Sequence, residues 1–256
     1  MCGFVGFTGM TNDRERDLSR MMDRIVHRGP DMGGMYFDRD VALGFRRLSI
    51  LDLSEAGAQP MKSEDGNVVV VFNGEIYNFQ SLRAELEAQG HTFHCGADTE
   101  VLVHGYEEWG DDLVYRLRGM YAFVIWDKQR RRLMGARDIF GIKPFYYYKK
   151  DGEFLFGSEI KSFLSHPKFE KELDEDMIPL YLSYEYIPDE RTIFKNVKKL
   201  PGAHCFTYKD GKLEVERYYH IRYNIEEDKS LEYWEDAITK EFSESVAMHQ
   251  ISDVEV

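Results

Sequence analysis

Two hydrophobic periods take turns along this chain, and the places where one gives way to the other mark its elements. Residues 2–9, CGFVGFTG, read as a glycine-punctuated strand packed closely on both faces. In DRERDLSRMMDRIVH, Leu18, Met21, Met22, Ile25 and Val26 recur at helical spacing. HRGPDMGGM, with three glycines and Pro30, reads as loop. VALGFRRLSILDL predicts a long strand with Arg47 in its middle. NVVVVFNGEIYN begins as a buried β-branched strand and is expected to break at Asn73-Gly74. FQSLRAELEAQG predicts a helix stopped by Gly90.

Asp98 then stands in a good N-cap position for a helix over DTEVLVHGYEEWG. YAFVIWDKQRRRLMGARD predicts a hairpin turning at DKQRR, and FYYYKKDGEFLFGSE a second turning at KKDGE. Short strands are expected around PGAH and KDGK. Hairpins and helices with few clean βαβ units imply an α+β fold built on antiparallel sheets. From Asn224 the character changes. NIEEDKS reads as a linker, and LEYWEDAITKEFSESVAMHQ as an amphipathic helix with Trp234, Ile238, Phe242 and Val246 on one stripe. ISDVEV then begins like a strand, so the chain is expected to be part of something longer.

The bulk numbers narrow the class. Of 256 residues, 43% are hydrophobic and 14% aromatic, enough to bury a large core. At roughly 100–200 residues per domain, this is one large domain, or one plus a fragment of another. Thirty-three Lys and Arg against 46 Asp and Glu give a net charge of −13, which argues against nucleic-acid or membrane-surface binding. The basic run of Lys128, Arg130, Arg131 and Arg132 falls in a turn and reads as solvated. Three scattered cysteines are no disulfide framework and fit a reducing cytosol. No zinc spacing stands out. His91, His94 and Cys95 lie close together, but alternation would split them across two faces of a strand, so they read as structural and no metal is expected. No signal peptide is visible, and no segment nears the roughly 18 apolar residues of a membrane span. A soluble, cytoplasmic protein is the expectation.

Candidate chemistry begins at MCGFVGF. Met1 is normally trimmed before a small second residue, which would leave Cys2 with a thiol and a free α-amine on one Cα. The thiol has an unperturbed pKa of about 8.5 and the amine one of about 7.7–8.0, so a nucleophile and its base come together. Alone, the thiol is matched by chance occupancy of position two. Asn73 and Gly74 offer a side-chain amide and an unhindered backbone N–H, the donors an oxyanion needs; taken alone, Asn-Gly reads first as a plain turn joining strand to helix. Glu75, directly after, calls for a cationic partner if buried. Arg47 and Asp98 are complementary hooks for a carboxylate and an ammonium, the two ends of a free amino acid. They also read as a surface residue and a helix cap.

Taken in order, MCGFVGF, HRGPD, RRLSILDL, GAQPM, FNGEIYN, DTEVL, RGMYAFVIWD, RDIFGIKPFYY and SEIKSFL resemble class II glutamine amidotransferases from Cys2 to about Tyr219. HRGPD, RLSILD, NGEIYN and KKLPGAH are most similar to the N-terminal half of glutamine-hydrolysing asparagine synthetases. The resemblance implies an Ntn-hydrolase, four-layer α/β/β/α sandwich with two stacked antiparallel sheets. It implies a glutaminase domain over residues 2–220, followed over 221–256 by a linker, a helix and the first strand of an ATP-dependent synthetase domain.

It also implies roles. Cys2 is the nucleophile and its α-amine the base; Asn73 and Gly74 form the oxyanion hole. Arg47 takes the glutamine carboxylate, Glu75 and Asp98 its amino end, and Ile50 and Leu51 give backbone contacts. The expected reaction is glutamine to glutamate and ammonia through a thioester, with the ammonia passed to an acceptor half. RDIFGIKPFYY and SEIKSFL would line the exit, although the tyrosine run reads as ordinary strand packing. The family's SGGxDS loop is not in this sequence, so no cofactor is expected for the glutaminase half, and ATP and magnesium belong to the synthetase domain. A homodimer is implied by the resemblance alone. Two alternatives stand: an amidotransferase with another acceptor, and a non-catalytic glutamine-binding module.

Overall fold

The computed structural model describes residues 2–49, 51–52, 54–226, 228–251 and 253. The elements run in chain order as β1 (Gly3–Thr8), α1 (Arg14–Asp23), β2 (Met32–Phe37), β3 (Val41–Arg47), β4 (Met61–Lys62), β5 (Val68–Ile76), α2 (Phe79–Ala88) and α3 (Thr99–Trp109). There follow β6 (Gly119–Asp127), β7 (Arg132–Arg137), β8 (Tyr146–Lys150), β9 (Glu153–Gly157), α4 (Met177–Tyr184), β10 (Val197–Lys199), β11 (His204–Lys209), β12 (Lys212–Arg217) and α5 (Leu231–His249). Among the described residues, no helix is long and apolar enough to cross a membrane.

The strands form two antiparallel sheets ordered β10-β8-β9-β1-β3-β2 and β12-β11-β7-β6-β5-β4. Their side chains alternate between faces, and the alternation builds three cores. Phe4, Phe45, Val69, Val71 and Phe156 pack between the sheets. Val5, Phe7, Leu18 and Met21 join the outer face of the first sheet to α1. Val70, Phe72, Leu86 and Leu102 join the outer face of the second to α2 and α3. Each fully buried Phe, Leu or Val contributes about 1.5–3 kcal/mol, so these layers hold the fold. The result is the expected α/β/β/α sandwich.

Local rules explain the element ends. The Asp13 carboxylate accepts the Arg16 N–H at 3.0 Å and caps α1. Gly90, just past α2, takes a φ of +103°, which a residue with a β-carbon rarely adopts. Both hairpins turn where predicted.

Four local readings are corrected. HRGPDMGGM is not all loop, because Met32–Phe37 pairs with β3 from Met32↔Arg47 to Phe37↔Ala42. Gly33 and Gly34 sit inside that strand as small residues under Arg46 and Gln59. The strand begun at Val41 ends at Arg47, which is therefore its last residue rather than its middle. β5 does not break at Asn73-Gly74 but pairs with β6 through Ile76↔Gly119. His91 to Cys95 form no strand. The apolar stripe of α5 exists as predicted, with Trp234, Ile238, Phe242 and Val246 all exposed. The strand expected at ISDVEV falls largely outside the described residues.

Candidate active site

The two sheets part at one end around a cavity of about 140 Å³. That is well below the roughly 300–1,000 Å³ of drug-sized ligand sites and suits something like a single amino acid. Cys2, Arg47, Leu51, Asn73, Gly74, Glu75 and Asp98 all line it, with Leu48, Gln59 and Lys143. Residues as far as 141 positions apart in sequence thus meet in one place. Ile50 lies outside the described residues.

Cys2 precedes the first residue of β1 and shares its parity with Phe4, which puts its side chain between the sheets. The thiol donates to the Leu48 carbonyl at 3.4 Å, and its sulfur accepts the Leu48 N–H at 3.3 Å. The Cys2 carbonyl accepts the Arg28 Nε–H at 2.9 Å, and Arg28 is itself paired with Glu159 at 3.0 Å. HRGPD and SEIKSFL therefore anchor the backbone that carries the thiol. Burial pushes the thiol pKa up, against the pull of the Leu48 N–H. A buried neutral thiol attacks only if a base removes its proton, so this geometry needs one.

The donors come from β5 by two routes. Val69 and Val71 face the space between the sheets, so Asn73 and Glu75 on the same parity face it too. Asn73 is 1% exposed, and its Nδ2 is buried without a hydrogen-bond partner. An unpartnered buried donor costs about 1–3 kcal/mol, which marks it as held for a ligand. Gly74 supplies the second donor through the ladder. The Phe72 and Ile76 N–H groups point away from β6, to the Gln59 side chain at 2.6 Å and the Asp98 carboxylate at 2.8 Å. By strand alternation the Gly74 N–H between them points to that same open edge. A β-carbon at position 74 would lie 2.1 Å from the Met120 carbonyl oxygen, so only glycine lets the strands close here.

The remaining hooks are carboxylates and a guanidinium. Asp98, 5% exposed, precedes α3 but makes no capping hydrogen bond there; it serves β5 instead. Burial raises the Asp98 pKa. Glu75 is raised as well, by burial first and then by the charge of Asp98, with Lys143 pulling the other way. Two coupled carboxyls that resist ionisation form a site for a cation. Arg47 is buried and holds the loop above the cavity: its terminal N–H groups reach the Ser54 carbonyl at 2.8 Å, the Leu51 carbonyl at 3.1 Å and the Asp52 carbonyl.

Sequence reading missed Gln59, Lys143 and Arg28. Gln59 bridges β5 to α3, its Nε2 donating to Thr99 Oγ1 at 3.2 Å. Lys143 sits in the wall of the cavity, 4% exposed, its pKa lowered by burial while Glu75 raises it. The signal for all three lay inside quoted motifs, GAQPM, RDIFGIKPFYY and HRGPD, as polar residues beside the ones that were singled out.

Two stacked antiparallel sheets between helices, with a thiol at the head of an inner strand, define the Ntn-hydrolase class. The profile of the glutamine amidotransferase domain matches residues 1–219, and the chain belongs to that family. Glutamine-hydrolysing asparagine synthetase 1 of Bacillus subtilis (strain 168) is 42% identical over 265 residues, covering 100% of this chain and 41% of the relative. Asparagine synthetase 3 of the same organism is 36% identical over 268 residues, covering 100% and 42%. The chain thus spans about two fifths of the length of these curated relatives. Among solved structures, the B. subtilis glutamine phosphoribosylpyrophosphate amidotransferase complexed with ADP and GMP aligns with a TM-score of 0.64. At 18% identity over 85% of this chain and 49% of that one, it speaks for the fold alone.

Proposed function

We propose that this domain hydrolyses the side-chain amide of glutamine and supplies the ammonia of an asparagine-synthetase-type enzyme. One observation carries the reading: Cys2, the unpartnered Asn73 Nδ2, the open-edge Gly74 N–H, the Glu75–Asp98 pair and Arg47 share one small cavity. The amino-acid ammonium goes to Glu75 and Asp98 and its carboxylate to Arg47, with Leu51 and Ile50 giving backbone contacts. With Met1 removed, the Cys2 α-amine takes the thiol proton as sulfur attacks the amide carbon. Asn73 and Gly74 hold the oxyanion, worth about 10²–10³ in kcat per donor. The C–N bond then breaks, the amine returns the proton to the departing nitrogen, and ammonia leaves a γ-glutamyl thioester. Water adds to the thioester, the C–S bond breaks, and glutamate and the thiol are restored.

The domain limits that go with this reading are 2–220 for the glutaminase and 221–256 for the start of an acceptor half. ATP and magnesium would be held by that acceptor half, and no step above involves them. A homodimer rests on the family resemblance. A cytoplasmic setting is supported by three free cysteines.

The test is intact mass after exposure to 6-diazo-5-oxonorleucine, a glutamine-like electrophile. A chain lacking Met1 that gains one adduct at Cys2, blocked by glutamine, is the expected result. A processed chain that takes no adduct would overturn the reading in favour of a non-catalytic binding module.

A further inference from the structure

On the outer flank of α3, away from the Cys2 cavity, the fold gathers a second set of polar groups. His91 enters from the segment after α2, while His104 and Glu107 stand three residues apart on one face of α3. Glu107 Oε2 lies 3.1 Å from His104 Nδ1 and 3.8 Å from His91 Nδ1. One ligand atom from each of the three residues fits within 4.8 Å of the others. Tetrahedral zinc, with bonds of about 2.0–2.2 Å to nitrogen and oxygen, sets its ligand atoms about 3.3 Å apart, so small side-chain adjustments close the set.

The outer nitrogens complete the pattern. His91 Nε2 faces Glu108 Oε2 at 3.4 Å. His104 Nε2 is buried with no hydrogen-bond partner, and the carboxylates of Glu100 and Glu64 stand 3.7 and 3.8 Å from it. Each imidazole thus turns one nitrogen to an outer carboxylate and the other to the shared Glu107 oxygen. Without an ion, His104 Nδ1–H donates to Glu107 Oε2 at 3.1 Å; an ion takes the place of that proton and leaves Nε2 to carry the ring's N–H on the side of Glu100 and Glu64.

We propose that His91, His104 and Glu107 form a binding site for a single divalent transition ion, with zinc favoured by the two-imidazole, one-carboxylate donor set. The fourth position falls to water, since Glu107 and His91 are only partly buried and leave a way in. The ion ties the segment after α2 to α3, the helix that starts at Thr99 directly after Asp98, and both of those residues line the cavity. The sequence reading grouped His91 with His94 and Cys95 and expected no metal. The fold gives His91 new neighbours on α3, while His94 and Cys95 turn to Glu64 and Glu100.

The test titrates zinc alone into metal-free full chain by calorimetry, with melting followed in parallel. One equivalent is expected to bind, and at a hundredfold excess over its Kd the Tm rises by roughly 5–10 °C. His91→Ala and Glu107→Gln, both at accessible positions, each weaken binding by at least about tenfold. Cobalt in place of zinc gives a tetrahedral nitrogen/oxygen visible spectrum without a thiolate charge-transfer band. Binding unchanged in both variants, a thiolate band, or no rise in Tm would overturn the proposal and leave a proton shared between His104 and Glu107.

Discussion

Asp98 and Glu100 stand two residues apart at the start of α3, both almost wholly buried, yet their surroundings send them opposite ways. Glu100 is met by the protein: its carboxylate accepts the His94 N–H at 2.7 Å, the Cys95 N–H at 2.9 Å and the Cys95 thiol at 3.1 Å. Burial works against its ionisation, but the His104 imidazole and these donors win and bring its pKa down to about 2. Asp98 accepts the Ile76 N–H and has an acidic neighbour in Glu75, and burial prevails over its backbone donors, so its pKa rises. The first carboxylate is satisfied by the fold. The second awaits a cation that the fold does not supply in full, which is what a substrate site requires.

The sharpest way to break this contrast is to neutralise the two acids in turn. Asp98→Asn keeps the acceptor for Ile76 but loses the charge, and kcat/KM for glutamine should fall roughly 30- to 1,000-fold, about 2–4 kcal/mol. Stability should move the other way. A carboxyl whose folded pKa is raised contributes stability in full below the unfolded value of about 4, and loses it as pH rises through the folded value. The variant should therefore melt above its parent at pH 8 and level with it near pH 4. An Asp98→Asn chain with unaltered KM and kcat would remove Asp98 from the substrate site.

The same pair sets a pH dependence for substrate. An ammonium needs ionised partners, so apparent glutamine affinity should improve as pH rises up to and through the raised values of about 7 for Asp98 and about 8 for Glu75, by up to about tenfold per unit below them. Isothermal titration in buffers of different ionisation enthalpy should also show protons released on binding. A flat profile, or proton uptake, would contradict the raised values of Glu75 and Asp98.

Glu100→Gln should have the converse signature. With three donors losing a charged acceptor, about 1–3 kcal/mol of stability is expected to go, a Tm drop of roughly 3–8 °C, while KM for glutamine stays near the parent value. Melting curves and steady-state kinetics on one preparation decide it. The smallest expected effect belongs to Lys143→Met. The ammonium of Lys143 holds the Glu75 pKa down, so its removal should shift the pH profile of glutamine affinity to the alkaline side.

Much of this was legible in the chain, for a physical reason. Apolar periodicity fixes which faces are buried, so the two hairpins, α1, α2, α3 and α5 could be placed from it. The residues now lining the cavity were gathered by chemistry and resemblance: Cys2, Arg47, Leu51, Asn73, Gly74, Glu75 and Asp98. The failures came where a distant residue overrides a local signal. Asn-Gly is turn chemistry, yet β5 runs through it because Gln59 and Asp98, 13 and 22 positions from their partners, take the edge N–H groups. Gly33 and Gly34 read as loop, yet pairing with β3 makes them strand. Asp98 has the residue type of a cap and spends its carboxylate elsewhere. No window of sequence contains those partners.

The brevity of β4 has an effect out of proportion to its length. Its two residues pair as Met61↔Val70 and Lys62↔Val69, and continuing that register would set residue 57 across from Gly74. Had the chain ahead of Met61 stayed extended, a neighbouring strand would have covered the Gly74 amide. Instead it turns off at Pro60, and two side chains stop the exposed rungs on either side while one is left bare. Sheet edges are ordinarily a hazard to be blunted. Here the sheet is left unfinished by a single rung, and that gap is the aperture through which the backbone can reach a substrate.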